Sequence, residues 1–263
     1  MALSVRRLRI TNITSSACVF IVLFFSFCSY AEEAISAADL TYYTENYPPS
    51  NYLENGKLVG ISVETLKLIW KTLDVAEQKI HVVPWARGYS DTLKNKNTVL
   101  FTTSRTLDRE SLFKWVGPIY TAKHVLVARA DFKHNIVKIE DAYRFPVAAI
   151  RNDISELALV AAGFPKRNIA PLTNLQQALL LLANGRLDLI IISRSGLKQL
   201  LLENNLQAEQ FQIVIEVNQE SNYFAFNKQT PDFVVKEFQQ AFDSLAKQHQ
   251  KLLNKYGLSN TID

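Results

Sequence analysis

Apolar residues along this chain follow two rhythms. Short runs rich in β-branched and aromatic residues, at positions 40–44, 79–83, 98–101, 147–150, 187–192 and 212–216, predict strands. Between them the apolar positions recur at intervals of three and four. Val63, Leu66, Ile69, Trp70 and Leu73 fall on one face of a helix expected to start at a Ser62 cap. Residues 86–94 form another helix, and a third runs from an Asn174 cap to Asn184, with Gly185 in the C-cap position. The last is expected to begin with Thr230 as N-cap and Pro231 as first residue, to turn Val234, Phe238, Ala241, Leu245 and Tyr256 inward, and to stop at Gly257. Strands alternating with helices predict an α/β protein whose sheets are covered by helices.

Two further apolar runs, 124–128 and 223–226, read as long strands that leave and re-enter one compact unit. They divide the chain into a first lobe of residues 32–130 and 217–263 and a second lobe of 131–216, joined by two hinge crossings. The chain shows neither an internal repeat nor a low-complexity tract.

The first 31 residues belong to a different pattern. Arg6, Arg7 and Arg9 precede an apolar stretch at 17–27, and Ser29-Tyr30-Ala31 places small residues where a signal peptidase cuts. This predicts a cleaved export signal and a periplasmic protein; an uncleaved N-terminal anchor is the alternative. The apolar stretch is shorter than the roughly 20 residues a membrane-spanning helix needs. Both cysteines, Cys18 and Cys28, lie inside it, so the mature chain is expected to have neither a disulfide nor thiolate chemistry. The residue pattern before Cys28 lacks the small neighbour a lipidated cysteine usually has.

Charge narrows the field further. The formal net charge is +4, and the three arginines of the export segment supply most of it. A nearly neutral mature chain lacks the basic face that nucleic-acid binding requires. The four histidines, His81, His124, His134 and His249, are never three or four residues apart, so neither a metal site nor a cofactor is expected. Nucleophile elbows, phosphate loops and Cys–His pairings are absent from the sequence.

The most informative segment is Thr106-Leu-Asp-Arg109. Read as a short helix capped by Thr106, it sets Asp108 and Glu110 to complement the dipole, yet puts Arg109 in the same first turn. A cation there, beside free backbone N–H groups and the hydroxyls of Ser104 and Thr106, suits an anion such as a carboxylate. The alternative is a solvated arginine paired with Glu110 or Asp108. Trp85 and Arg87 admit two readings as well, a ligand-stacking pair or a tryptophan that anchors its helix to the sheet. Arg105 is expected to face away from Arg109 into an ion pair.

These segments, in their order and spacing, resemble the type II periplasmic solute-binding proteins of extracellular solute-binding family 3, which includes polar amino-acid receptors of ABC importers. The resemblance rests on Tyr47-Pro-Pro, Gly56-Lys-Leu-Val-Gly60, Pro84-Trp-Ala-Arg87, Thr106-Leu-Asp-Arg109, Phe113-Lys-Trp-Val-Gly-Pro-Ile-Tyr120, Val147-Ala-Ala-Ile-Arg-Asn-Asp153 and Gly185-Arg-Leu-Asp188. It implies a two-lobed Venus-flytrap fold, a small carboxylate-bearing ligand held in the interlobe cleft, a monomer, and an ABC permease as partner. It further implies that Arg109, with Ser104 and Thr106, grips the ligand's carboxylate. Tyr47 would form an aromatic wall, with Tyr52 as a second candidate, and Arg151 and Asp153 would close from the second lobe.

One position departs from the family. Where amino-acid receptors often carry an acid for the ligand's ammonium, five residues past the Gly-x-x-Asp turn, this chain has Ser193. Either Asp153 or Glu45 supplies that charge, or the ligand is not an ordinary α-amino acid. Two rival functions keep the same fold. One is a periplasmic dehydratase-like enzyme with Glu45 or Asp153 as general acid or base; the other is a ligand sensor for a signalling partner.

Overall fold

The computed structural model describes residues 35–258; the N-terminal segment read above as an export signal lies outside them. The chain enters through β1 (Thr41–Thr44), makes a small hairpin of β2 (Tyr52–Glu54) and β3 (Lys57–Val59), and continues into α1 (Ile61–Thr72). Then come β4 (Ile80–Val82), α2 (Trp85–Lys94), β5 (Thr98–Ser104), the single turn α3 (Leu107–Glu110) and the long strand β6 (Phe113–Arg129). The second part comprises β7 (Val147–Ile150), α4 (Ile154–Ala161), β8 (Ile169–Leu172), α5 (Leu175–Ala183), β9 (Leu189–Ser193) and α6 (Arg194–Glu203). The other long strand, β10 (Phe211–Asn227), returns the chain to α7 (Asp232–Ser244) and α8 (Ala246–Lys255).

Eight strands form one sheet in the order β4-β1-β5-β10-β6-β9-β7-β8. Its two ends are parallel, β1 pairing with β4 and β5, and β7 with β8 and β9. The middle is antiparallel: β10 pairs with β5 and β6, and β6 with β9. The parallel strands β5 and β9 are buried at every position, because helices cover both faces. The two lobes are therefore the two parallel ends of the sheet, and the β6–β10 pair runs through both.

Each lobe has its own core. In the first, Trp70 from α1 meets Tyr42 edge-on at 4.9 Å, and Phe238 from α7 meets Phe224 at 5.6 Å and Phe226 at 5.1 Å. Ile35 and the buried Leu258, at the two ends of the described chain, both pack on this core. The second lobe gathers Leu126, Val147, Leu159, Phe164 and Ile191. A third cluster joins Tyr47, Trp85 and Leu100 of the first lobe to Ile150, Leu197 and Leu200 of the second, so the lobes pack directly on each other.

Several local expectations are corrected. The runs at 212–216 and 223–226 are one 17-residue strand, and 124–128 is part of a second of equal length. Gly60, not Ser62, caps α1. Its φ is +123°, and a Cβ there would lie 2.2 Å from the Ser50 carbonyl oxygen, so only glycine fits. Asn184 holds the C-cap of α5, and Gly185 follows it with φ +68°. Pro231 is the N-cap of α7, one residue later than expected, and the terminal helix breaks at the buried Leu245 into α7 and α8.

Phe238 is fully buried between two rings. Phe238→Ala is expected to cost about 3–5 kcal/mol of unfolding free energy by urea denaturation. A loss under about 1 kcal/mol would show that the aromatic cluster does not anchor this lobe.

Candidate functional site

The site is built where the strand ends of both lobes face one another. A small pocket of about 10 Å³, little more than the room of one water, lies there, lined by Glu45, Tyr47, Thr102, Ser104, Tyr120, Ala122, His124, Asp153, Ile154 and Asn222. Glu45 follows β1 and Thr102 and Ser104 end β5. Tyr120, Ala122 and His124 are alternate residues of β6, so one face of the hinge strand forms the floor. Asp153 comes from the second lobe as the N-cap of α4, where its carboxylate accepts from Ser155 Oγ at 3.0 Å.

Thr102 marks strain in this wall. It is β-branched yet has φ +63°, at the irregularity where β5 pairs with Tyr223 and Phe224 of β10. The twist turns its hydroxyl to Ser62 Oγ at 2.9 Å and to the side-chain oxygen of Asn51. Asn51 in turn binds the Glu45 main-chain carbonyl, so the loop bearing Glu45 and Tyr47 is tied to β5. The same loop touches the second lobe, since a Cβ on Gly196 would lie 2.8 Å from the Pro48 carbonyl oxygen.

Arg109 sits at the edge of this cavity, only 2% exposed. Its guanidinium carbon stacks 5.2 Å from the ring centres of both Trp85 and Tyr89. It donates to two carbonyl oxygens, Ser104 of its own lobe and Asn152 of the other, each at 3.2 Å. Trp85 Nε1 donates to the same Asn152 oxygen at 2.8 Å. Asn152 has φ +57°, the left-handed conformation that asparagine tolerates. Two first-lobe donors thus converge on one second-lobe carbonyl.

The titrating groups are tuned by burial and by one another. Glu45 is held well above the ordinary carboxylate range, first by burial and then by the Asp153 charge, with Arg109 opposing. Burial also raises the Tyr47 and Tyr120 phenols, and both feel the two carboxylates. Burial pushes the His124 imidazole down, with Asp153 opposing. Tyr120 Oη is satisfied by Ser50 Oγ. His124 Nδ1 and Tyr47 Oη close no ordinary hydrogen bond, although the Asn218 side chain lies beside the first and the Ser193 hydroxyl beside the second.

The structure thus brings together Tyr47, Ser104 and Asp153 in the cavity wall, with Arg109 and Trp85 beside it. Thr106 caps α3 by position only; its hydroxyl is buried and partnerless. Ser193 is buried at the end of β9, where its hydroxyl accepts the Gly196 N–H at 3.1 Å and caps α6. Arg87 points away: two residues after Trp85 is about 200° around a helix, and Arg87 lies exposed beside Asp91 at 3.6 Å. Arg151 is exposed on the loop after β7. Arg105 pairs with Glu110 at 2.6 Å, facing away from Arg109. Thr102, Tyr120, His124 and Asn222 were missed as site residues. The alternation Tyr120, Ala122, His124 was the available signal for the hinge face.

Two α/β lobes joined by two antiparallel strands, with a pocket where their strand ends meet, define a Venus-flytrap binding protein. The chain belongs to the bacterial extracellular solute-binding proteins, family 3, whose model matches residues 40–259. A histidine kinase sensor domain with similarity to periplasmic binding proteins superposes with a TM-score of 0.74 at 21% identity, covering 82% of this chain and 95% of that one. A mutant of the arginine-binding protein ArgBP from T. maritima gives 0.72 at 20% identity, covering 83% and 95%. An ancestral arginine-binding protein bound to arginine gives 0.72 at 21%, covering 83% and 98%. At these identities the likeness concerns the fold. No curated protein sequence matches the chain. Among the described residues, no helix is long and apolar enough to cross a membrane.

If Ser193 serves as the cap of α6, Ser193→Ala should lower the unfolding free energy by about 1 kcal/mol in urea. An unchanged midpoint would show that the Gly196 N–H finds another acceptor.

Proposed function

We propose that this protein captures a small, polar, carboxylate-bearing solute, an amino acid or a close relative, between its lobes in the periplasm, and presents it to an ABC permease. The observation that carries the reading is Arg109. The Glu45 and Glu220 carboxylates feel its charge, yet the hydrogen bonds of this buried guanidinium go to carbonyl oxygens. Its fork lies between the lobes, next to Ser104 in the cavity wall, where two parallel bonds to a carboxylate would fix both charge and orientation. Trp85 and Tyr89 hold the guanidinium plane in place, and Tyr47 gives the cavity an aromatic wall.

In this reading the hinge crossings lie in β6 and β10, with residues 32–130 and 217–263 as one lobe and 131–216 as the other. Ligand binding selects the closed form because its contacts come from both lobes at once. The likeness to a histidine kinase sensor domain supports a second reading, in which the closed form signals to a kinase rather than to a permease. Copurification of a permease or of a kinase separates the two.

A thermal-shift screen of amino acids against matched mono- and dicarboxylic acids tests the binding function. A good ligand at a hundred times its dissociation constant should stabilise the wild type by about 2.7 kcal/mol. Arg109→Ala should abolish that gain. Undiminished stabilisation of the variant would remove Arg109 from the site.

A further inference from the structure

We propose that Asn55 is a site of spontaneous modification, at which the side-chain amide closes onto the main-chain nitrogen of Gly56 and converts the turn between β2 and β3 to aspartate and isoaspartate. The site lies on the first lobe, and its residues take no part in the pocket between the lobes. Asn55 and Gly56 are the whole connection between Glu54 and Lys57, which pair across the hairpin. Their φ angles are +51° and +76°, the left-handed pair that a two-residue hairpin turn demands and that Asn-Gly adopts most readily. Both residues are exposed, and a Cβ on Gly56 would meet nothing within 4 Å.

The chemistry needs a side-chain amide free to turn, a main-chain N–H free to lose its proton, and no side chain on the attacking residue. Among the described residues, neither the Asn55 side chain nor the Gly56 N–H has a hydrogen-bond partner. A base from the solvent takes the Gly56 N–H proton, the nitrogen bonds to Asn55 Cγ, and Nδ2 leaves as ammonia with a proton returned by the solvent. Water then opens the cyclic imide at one of its two carbonyls. Opening at the side-chain carbonyl leaves aspartate in a normal main chain; opening at the main-chain carbonyl routes the chain through Cβ and Cγ as isoaspartate. In either case one amide and one water become one acid and one ammonia.

The fold supplies its own comparison, because the sequence holds a second Asn-Gly pair, Asn184-Gly185. There both reacting groups are engaged. Asn184 Nδ2 donates to the Leu180 carbonyl at 2.7 Å, and the Gly185 N–H donates to the Leu182 carbonyl at 2.9 Å. Arg129 also lies against Gly185, where a Cβ would be 2.3 Å from Nη1. At the hairpin, by contrast, either product adds a carboxylate one residue past Glu54. The Tyr52 phenol of the same hairpin is raised first by burial and then by the charges of Glu54, Glu203 and Glu64. Glu203 belongs to α6, so the modified turn adds negative charge to a hairpin that already shares its field with the second lobe. Isoaspartate further lengthens the main chain of a two-residue turn, so that Glu54 and Lys57 lose their register.

The test is timed incubation of the folded protein in mildly alkaline buffer, followed by peptide mass analysis with fragmentation that separates aspartate from isoaspartate. The Asn55 peptide is expected to gain the mass change of amide to acid, faster as the pH rises, with isoaspartate among the products. Asn184 should react at least about tenfold more slowly, because hydrogen bonds on both of its reacting groups must open first. In urea the difference between the two sites should disappear. An Asn55 that stays an amide in the folded protein while it reacts in urea would overturn the proposal, and so would equal rates at the two sites in the folded state. Asn55→Asp carries the new charge without the longer main chain. Hydrogen exchange at the β2 and β3 amides should match the wild type in that variant and quicken in the isoaspartate form; unchanged exchange in the isoaspartate form would overturn the loss of register.

Discussion

The pairing of β6 with β10 is the interaction on which the rest of the molecule depends. Two 17-residue strands run antiparallel through both lobes, register residue to residue from Phe211–Arg129 to Asn227–Phe113. Each lobe finishes its sheet on this ladder: β5 docks on β10 at one end, and β9 on β6 at the other. The ladder holds both lobes together and is interrupted by register shifts near Ile213, Glu216 and Asn222. Such irregularities bend and twist a ribbon locally without breaking the pairing on either side.

The site inherits its character from this ladder. One face of β6 puts Tyr120 and His124 on the cavity floor, and the opposite face puts Lys123 beside Glu216 at 3.8 Å, toward solvent. Two structures of different chemistry flank the floor. The first is the tethered loop with Glu45 and Tyr47; the second is the α4 cap with Asp153. At their rim the Asn152 carbonyl accepts from Trp85 and Arg109 together, so a neutral and a charged donor of one lobe meet the other at one point.

Much of the fold could be read along the chain, and the reasons for failure are local. The strand 147–150 is a short buried parallel strand and carries an uninterrupted apolar run, which gives it sharp edges. β10 was split because Asn218 to Asn222 are polar. That stretch crosses between lobes, faces water or the cavity, and has no core to face. The Leu245 break was hidden because the apolar spacing continues through it. Arg109 was legible because its position offends local helix electrostatics. His124 was not, since a single histidine inside an apolar strand looks the same from either face, and only the alternation with Tyr120 assigns it to the cavity.

Ile35 and Leu258 both pack on the core of the first lobe. The two ends of the described chain therefore lie on the same rigid body, and the second lobe is an excursion with no free end. Anything attached at either end, whether a label, a surface or a fused domain, would be carried by the first lobe alone. A fluorophore on the exposed Val137 of the second lobe and another near either end would report the distance between the lobes.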